Sequence, residues 1–328
     1  MPRKRFEDSD VALPPGLEVI FDNARSEDDI IAACRGMDIL FVPAPFPPIT
    51  AQVLENIPSV RMIQTSGTGY DKVDVTAAAR LKIPVANAPG QNITTVAELT
   101  VAMLIALLRN VLVADREIKA GNYSPVREQI FQSGLKEVCD IHLGLLGLGA
   151  IGRKVAQIVQ LLGGRVSYFD VYRPDPEIED QLQVSYLDFD ELLRTSDAVS
   201  LHLPLSEQTR DIISAKELQR MPPGSLLINT ARGEIVDQKA LADALESGHL
   251  AGVAIDTVHP EPPPADHPLL NLSGEAQDRL LITPHIAGTT KGAFHRMLSS
   301  GIANVAAVAA GEPPQNVVNG IFEIRMPS

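Results

Sequence analysis

Cysteine is scarce in this 328-residue chain, which has only Cys34 and Cys139. Neither has a second cysteine at metal-ligand spacing, which argues against a disulfide framework and against a zinc or other metal motif. The pattern fits a reducing, cytoplasmic compartment. Positive charge is also short: 28 Lys and Arg face 41 Asp and Glu, for a net charge of −13. Nucleic acid and anionic membranes are poor partners for such a surface, although a local basic pocket for a small anion is compatible with it. No internal repeat is visible. The stretch Met1 to Asp10 is basic and then acidic with no apolar core, so it does not read as a secretory signal. One segment, Ile93 to Ala114, approaches bilayer length, but Glu98 and Arg109 interrupt it. It is better read as a helix buried between two domains.

Hydrophobic residues make up 45% of the chain, and its length exceeds what one core usually serves, so two domains are expected. Short apolar strands, at Val19 to Phe21, Ile39 to Val42, Arg61 to Thr65 and Val85 to Asn87, alternate with helical stretches. Such alternation implies a parallel α/β sheet. The loop Pro43 to Pro48 cannot extend a strand and lies beyond a strand's C-terminal end, where open α/β sheets bind ligands. A linker is expected around Gly121 to Gly134. A second α/β run follows, with strands at Ile141 to Leu146, Val166 to Phe169, Ala198 to Leu201, Ser225 to Asn229, Gly252 to Ile255 and Leu281 to Thr283. A final helix covers about Phe294 to Ala310.

The second run opens on Gly147-Leu-Gly149-Ala-Ile-Gly152, a G-x-G-x-x-G pattern. Alone this is a weak signal. Here a strand precedes it, an amphipathic helix follows, and the next strand ends in Asp170 about 20 residues on, as a dinucleotide-binding unit requires. Gly147 permits the tight turn, Gly149 the approach of a pyrophosphate, and Gly152 close helix–strand packing. The helix N-terminus supplies donors and partial positive charge. Asp170 suits ribose hydroxyls and repels a 2′-phosphate, which favours NAD over NADP. Arg173, close by, leaves a route to the phosphorylated cofactor.

Three further stretches each follow a strand: Asn229-Thr-Ala-Arg232-Gly, Asp256 to Pro262 with Glu261, and Thr283-Pro-His285. Each of these charged or imidazole side chains alone reads as an ordinary loop residue. Together with a dinucleotide motif they fit reduction of a 2-keto acid. His285 would give a proton to the forming alkoxide, Glu261 would stabilise the imidazolium, and Arg232 would hold the carboxylate and polarise the carbonyl. The other histidines, among them His142 and His202, read as structural or as part of a cofactor wall.

At these motifs the chain resembles the D-isomer-specific 2-hydroxyacid dehydrogenase family over nearly its whole length. The resemblance implies two Rossmann-like doubly wound parallel-sheet domains with a cleft between them. Residues 1–111 and 289–328 would form the substrate-binding domain, and 112–288 the NAD-binding domain. It implies NAD contacts at Ala150, Ile151, Asp170, Leu203, Pro204, Thr209, Thr230, Ala231, Arg232, Asp256, His285 and Gly288. It marks Ser66-Gly67-Thr68-Gly69 as a substrate loop whose Thr68 and Gly69 amides would take the substrate carboxylate, beside Arg232 and His285. A homodimer is also implied. The chain departs from the family pattern in lacking tryptophan and in a longer Asn271 to Arg279 stretch.

Substrate choice is less determined. No basic residue lies in Pro43 to Pro48, which favours a small uncharged tail, as in glyoxylate, hydroxypyruvate or pyruvate, over 3-phosphoglycerate. Formate oxidation needs no Glu–His pair. A non-enzymatic NAD-sensing corepressor stands as a different class, since such proteins resemble this chain even at the catalytic set.

Overall fold

The computed structural model describes residues 3–42 and 47–324. Pro43 to Phe46 of the proline-rich loop lie outside the described residues. The chain divides into two compact units, Met1–Asn92 with Gly288–Ser328, and Ile93–Ala287.

In the first unit, β1 (Ile39–Val42), β2 (Met62–Thr65) and β3 (Val85–Ala86) form a parallel sheet in that order. Helices Glu27–Ala33, Ala51–Glu55 and Val75–Arg80 alternate with them. Each of these helices starts at a residue whose side chain accepts an orphan amide: Ser26, Thr50 and Asp74. Val42, Ile49, Val53, Leu54, Ile63 and Val85 fill the core. The expected strand at Val19 to Phe21 does not form, and Ile20 is exposed. No described strand pairs with these three residues. Helix Lys291–Ala309 belongs to this unit and presses Gly301 onto the Phe41 ring, where a Cβ would come within 2.4 Å of a ring carbon.

The second unit carries seven parallel strands: β4 (His142–Leu146), β5 (Arg165–Phe169), β6 (Ser185–Tyr186), β7 (Ala198–Leu201), β8 (Ser225–Asn229), β9 (Leu250–Ile255) and β10 (Leu280–Ile282). Their order is β10-β9-β8-β7-β4-β5-β6. Strand order therefore reverses between β4 and β7, the switch point at which α/β sheets bind ligands beyond their C-terminal ends. β4, β7 and β8 are buried along their whole length, as unbroken apolar runs in a doubly covered sheet should be. Helices Ile93–Leu108 and Ala150–Leu161 cover one face, and helix Gln238–Glu246 packs on the other.

Three sequence expectations need revision. The apolar run from Ile93 breaks at Asn110, which takes a left-handed backbone, and the helices on either side differ in direction by 64°. No single helix among the described residues is long and apolar enough to cross a membrane. Helix Ile93–Leu108 belongs to the second unit, because Val101, Leu104 and Leu108 share a core with β4 and helix Ala150–Leu161, so the first crossing lies at Asn92 rather than near residue 111. The expected linker is mostly helix, Tyr123–Ser133, with its one proline in the first turn, where proline is tolerated.

Candidate active site

The glycines of the dinucleotide motif sit where side chains could not. Gly147 has φ +98°, and a Cβ there would lie 2.7 Å from the His202 carbonyl oxygen. A Cβ on Gly152 would lie 2.2 Å from the Gly147 carbonyl oxygen, so the first turn of the helix could not approach its own loop. Gly149, the N-cap, faces open space and makes no side-chain cap bond. The first-turn amides of Ala150, Ile151 and Gly152 have no acceptor within their helix. An open cradle with unpaired donors fits a pyrophosphate.

Asp170 closes the loop from behind: its Oδ2 accepts from the Leu148 amide at 2.8 Å and its Oδ1 from the Tyr172 amide at 3.1 Å. Leu203 packs against Gly147. The Thr209 hydroxyl donates to the Pro204 carbonyl at 2.7 Å and accepts from the Ser206 amide, which shapes the turn after β7. His202 hydrogen-bonds Ser200 at 3.0 Å, and burial pushes its imidazole down to about 4, so the ring is neutral at neutral pH. His142 is buried in β4 between Ser167 and the Thr195 carbonyl, and burial lowers its proton affinity too. Neither is placed to cycle a proton.

Beyond β8, buried Asn229 folds the chain into a hook. Its amide group donates to the Arg232 carbonyl at 2.7 Å, and its Oδ1 accepts from the Ala231 amide at 3.0 Å. The Thr230 hydroxyl pairs with Thr100 at 2.9 Å, and Arg232 Nη1 donates to the Ala231 carbonyl. Gly233 then lies against the backbone of Val258 and His259, where a Cβ would come within 2.4 Å of the Val258 carbonyl carbon. Only glycine brings the Arg232 hook this near the Glu261 loop. That loop is held in turn by buried His267. Its Nδ1 accepts from the Leu269 amide, so its Nε2 carries the hydrogen that goes to the His259 carbonyl at 3.0 Å.

Beyond β10, His285 Nδ1 lies 3.0 and 3.1 Å from the two carboxylate oxygens of Glu261. Both side chains are about one-fifth exposed. His285 has φ +54°, a left-handed conformation that a non-glycine residue holds only when its surroundings impose it. Asp256 imposes it. At 1% exposure, it accepts from Thr283 Oγ1 at 2.5 Å, the Ile286 amide at 2.9 Å and the Ala287 amide at 2.8 Å. The His285 amide donates to the Asp256 carbonyl at 2.7 Å. Sequence reasoning missed this anchoring, the fit of Gly233 and the support from His267. The only signal for them was that each lies within or beside a motif.

The longer stretch near Asn271 does not disturb the pair. It contains a 3-10 turn, Gly274–Arg279, that caps helix Gln238–Glu246 through Ser273 to Glu246 and Arg279 to the Leu245 carbonyl.

In the first unit, Ser66 to Gly69 follow β2. The Gly67 carbonyl accepts from the Ala88 amide and the Thr68 carbonyl from Asn87 Nδ2, while buried Ser66 donates its amide to Val42. The Thr68 and Gly69 amides donate to no acceptor among the described residues. Gly288 also lies in this unit, against Asn92.

The sequence pattern of the D-isomer specific 2-hydroxyacid dehydrogenase NAD binding domain matches residues 101–287. The chain is 35% identical over 315 residues to a glyoxylate reductase of Korarchaeum cryptofilum (strain OPF8), covering 96% of this chain and 90% of that protein. Among solved structures, a formate dehydrogenase of Granulicella m. is similar with TM-score 0.82 and 29% identity, over 90% of this chain and 77% of the other. A D-lactate dehydrogenase of Aquifex aeolicus, complexed with NAD and lactic acid, is similar with TM-score 0.78 and 28% identity, over 86% of each. The chain belongs to the D-isomer-specific 2-hydroxyacid dehydrogenase family. It is an NAD-dependent oxidoreductase of that class.

Proposed function

We propose that this enzyme interconverts a small, uncharged-tailed 2-keto acid and its D-2-hydroxy acid, of the size of glyoxylate, hydroxypyruvate or pyruvate, with His285, Glu261 and Arg232 as its catalytic residues. The observation that carries the reading is the His285–Glu261 contact. An ionised carboxylate only accepts, so Nδ1 keeps its hydrogen in both charge states and the exchangeable proton is the one on Nε2. No described residue hydrogen-bonds Nε2. NAD(H), when bound, supplies or takes the hydride at C2. During reduction, Nε2 gives its proton to the oxygen at C2; during oxidation it takes that proton back. The Arg232 guanidinium would meet the substrate carboxylate and the C2 oxygen, where negative charge grows. The Gly147–Gly152 loop and its helix would hold the pyrophosphate, with Asp170 on the adenosine ribose. The open amides of Thr68 and Gly69 would serve the substrate carboxylate.

A panel of 2-keto acids with NADH, followed at the nicotinamide absorbance, tests this. Turnover should be highest on the small uncharged acids. Preference for 3-phosphohydroxypyruvate would overturn the substrate class, and absence of turnover on every acid would favour the corepressor reading. For the expected homodimer, helices Val111–Lys119 and Tyr123–Ser133 would offer a candidate face, since they leave Ile118, Tyr123 and Phe131 exposed. A cytoplasmic setting agrees with two unpaired cysteines.

Glu261→Gln should lower kcat for reduction while NADH binding survives, because a neutral amide offers Nδ1 only one acceptor and its NH2 group can face the ring in place of that acceptor. A Glu261→Gln protein with wild-type kcat would mean that Glu261 does not act through His285.

A further inference from the structure

We propose that Glu179 is a specificity-determining residue that withholds Arg173 from the 2′-position of the adenosine ribose and so, together with Asp170, enforces NADH over NADPH. The inference rests on the reading of Asp170 as the ribose-binding acid. Arg173 lies three residues beyond Asp170, on the segment that Asp170 fastens through the Tyr172 amide. An arginine so placed is the natural partner of a 2′-phosphate, since its planar fork matches phosphate oxygens two at a time.

Here the fork is already occupied. Arg173 Nε donates to Glu179 Oε1 at 2.7 Å and Nη2 donates to Oε2 at 3.0 Å. The guanidinium also lies 4.9 Å from the centre of the Tyr186 ring. The Tyr168 hydroxyl donates to the same Oε1 from inside β5. Hydrogen bonds from Arg173 first, and then Tyr168, hold the Glu179 carboxyl down to about 2, and burial followed by its bond to Glu179 drives the Tyr168 phenol upward. Glu179 is therefore ionised at neutral pH. Arg153, in the first turn of the helix that follows the glycine loop, turns its Nε to the Leu148 carbonyl.

A 2′-phosphate would thus meet Asp170 with no cation released to balance it. To recruit Arg173 it would have to break a bidentate pair and leave Glu179 with only the tyrosine. The arginine that reads in the sequence as an opening toward NADPH is instead a fastener. It ties the helix Pro176–Leu182 to the end of β5.

Direct titration of the cofactor-free protein with NADH and with NADPH, by calorimetry or nicotinamide fluorescence, tests this without relying on turnover. In an Asp170→Ser background, Glu179→Gln should tighten NADPH binding about five- to tenfold, the scale of one hydrogen bond made by a solvent-exposed side chain, and leave NADH within about twofold. Adding Arg173→Ala should abolish that gain, whereas Arg173→Ala in the wild type should leave the NADPH affinity nearly unchanged. A Glu179→Gln protein with unaltered NADPH affinity, or a gain that survives Arg173→Ala, would overturn the proposal. Glu179→Ser, with the same expected sign, serves as the second variant if Glu179→Gln does not fold. Failure of the Asp170 reading shows separately, as an Asp170→Ser protein whose NADPH-to-NADH ratio equals that of the wild type. The Arg173-dependence of the Glu179→Gln gain is then read in the wild-type background.

Discussion

His285→Ala is expected to lower kcat for keto-acid reduction by about a thousandfold, the middle of the range for removing a positioned general acid. NADH binding should survive, since His285 would be only one of many cofactor contacts. The residues fitted to the pyrophosphate and ribose lie at β4 and β5, whereas His285 follows β10, at the far edge of the sheet. The fold should also survive. The imidazole is about one-fifth exposed, and its side-chain bonds go to Glu261 alone. The backbone bonds that hold the loop come from the amides of His285, Ile286 and Ala287, which alanine at position 285 retains. Loss of turnover with intact NADH binding and an unchanged melting temperature is the signature of a missing proton donor. A variant with near wild-type kcat would remove His285 from the mechanism.

How much of this was legible in the sequence depended on range. The strands of the second unit were readable because parallel strands buried on both faces must be nearly continuous apolar runs. Ala198–Leu201 and Ser225–Asn229 form with the expected bounds. The glycine motif was readable because steric need is local: only glycine tolerates the Gly147 backbone and the Gly152 contact. Tyr123–Ser133 was misread because its glycine-flanked, mostly polar sequence resembles a linker. Val19 to Phe21 was misread because three apolar residues do not specify whether a sheet edge awaits them. Arg173 could not be resolved at all from sequence. Its partner Glu179 is six residues away on a helix, and only the turn between them makes the pair bidentate.

Asp256 illustrates the same limit, and its replacement should have the broadest consequence. The family pattern marks it as a cofactor contact, yet its carboxylate accepts from Thr283 Oγ1 and from the Ile286 and Ala287 amides in a site 1% exposed. Asp256→Ala leaves those donors without their acceptor in a space too small for bulk water. At about 1–3 kcal/mol for each buried donor left unpaired, and with some relaxation, the loss should total about 3 kcal/mol. For a unit of this size that corresponds to a melting temperature lower by roughly 6–12 °C. Activity should fall further than stability alone requires. The left-handed backbone of His285 is imposed by these bonds, and once they are lost the residue relaxes to an ordinary conformation that carries the imidazole off Glu261. Asp256→Ala should therefore show both a lower melting temperature and a kcat at least about a hundredfold down when assayed well below that temperature. His285→Ala should show only the second effect. Asp256→Asn should fall between wild type and alanine, because its amide oxygen accepts in place of one carboxylate oxygen while its NH2 group opposes the remaining donor. An Asp256→Ala protein that melts like the wild type and keeps its turnover would mean that the His285 loop is held by something other than this carboxylate.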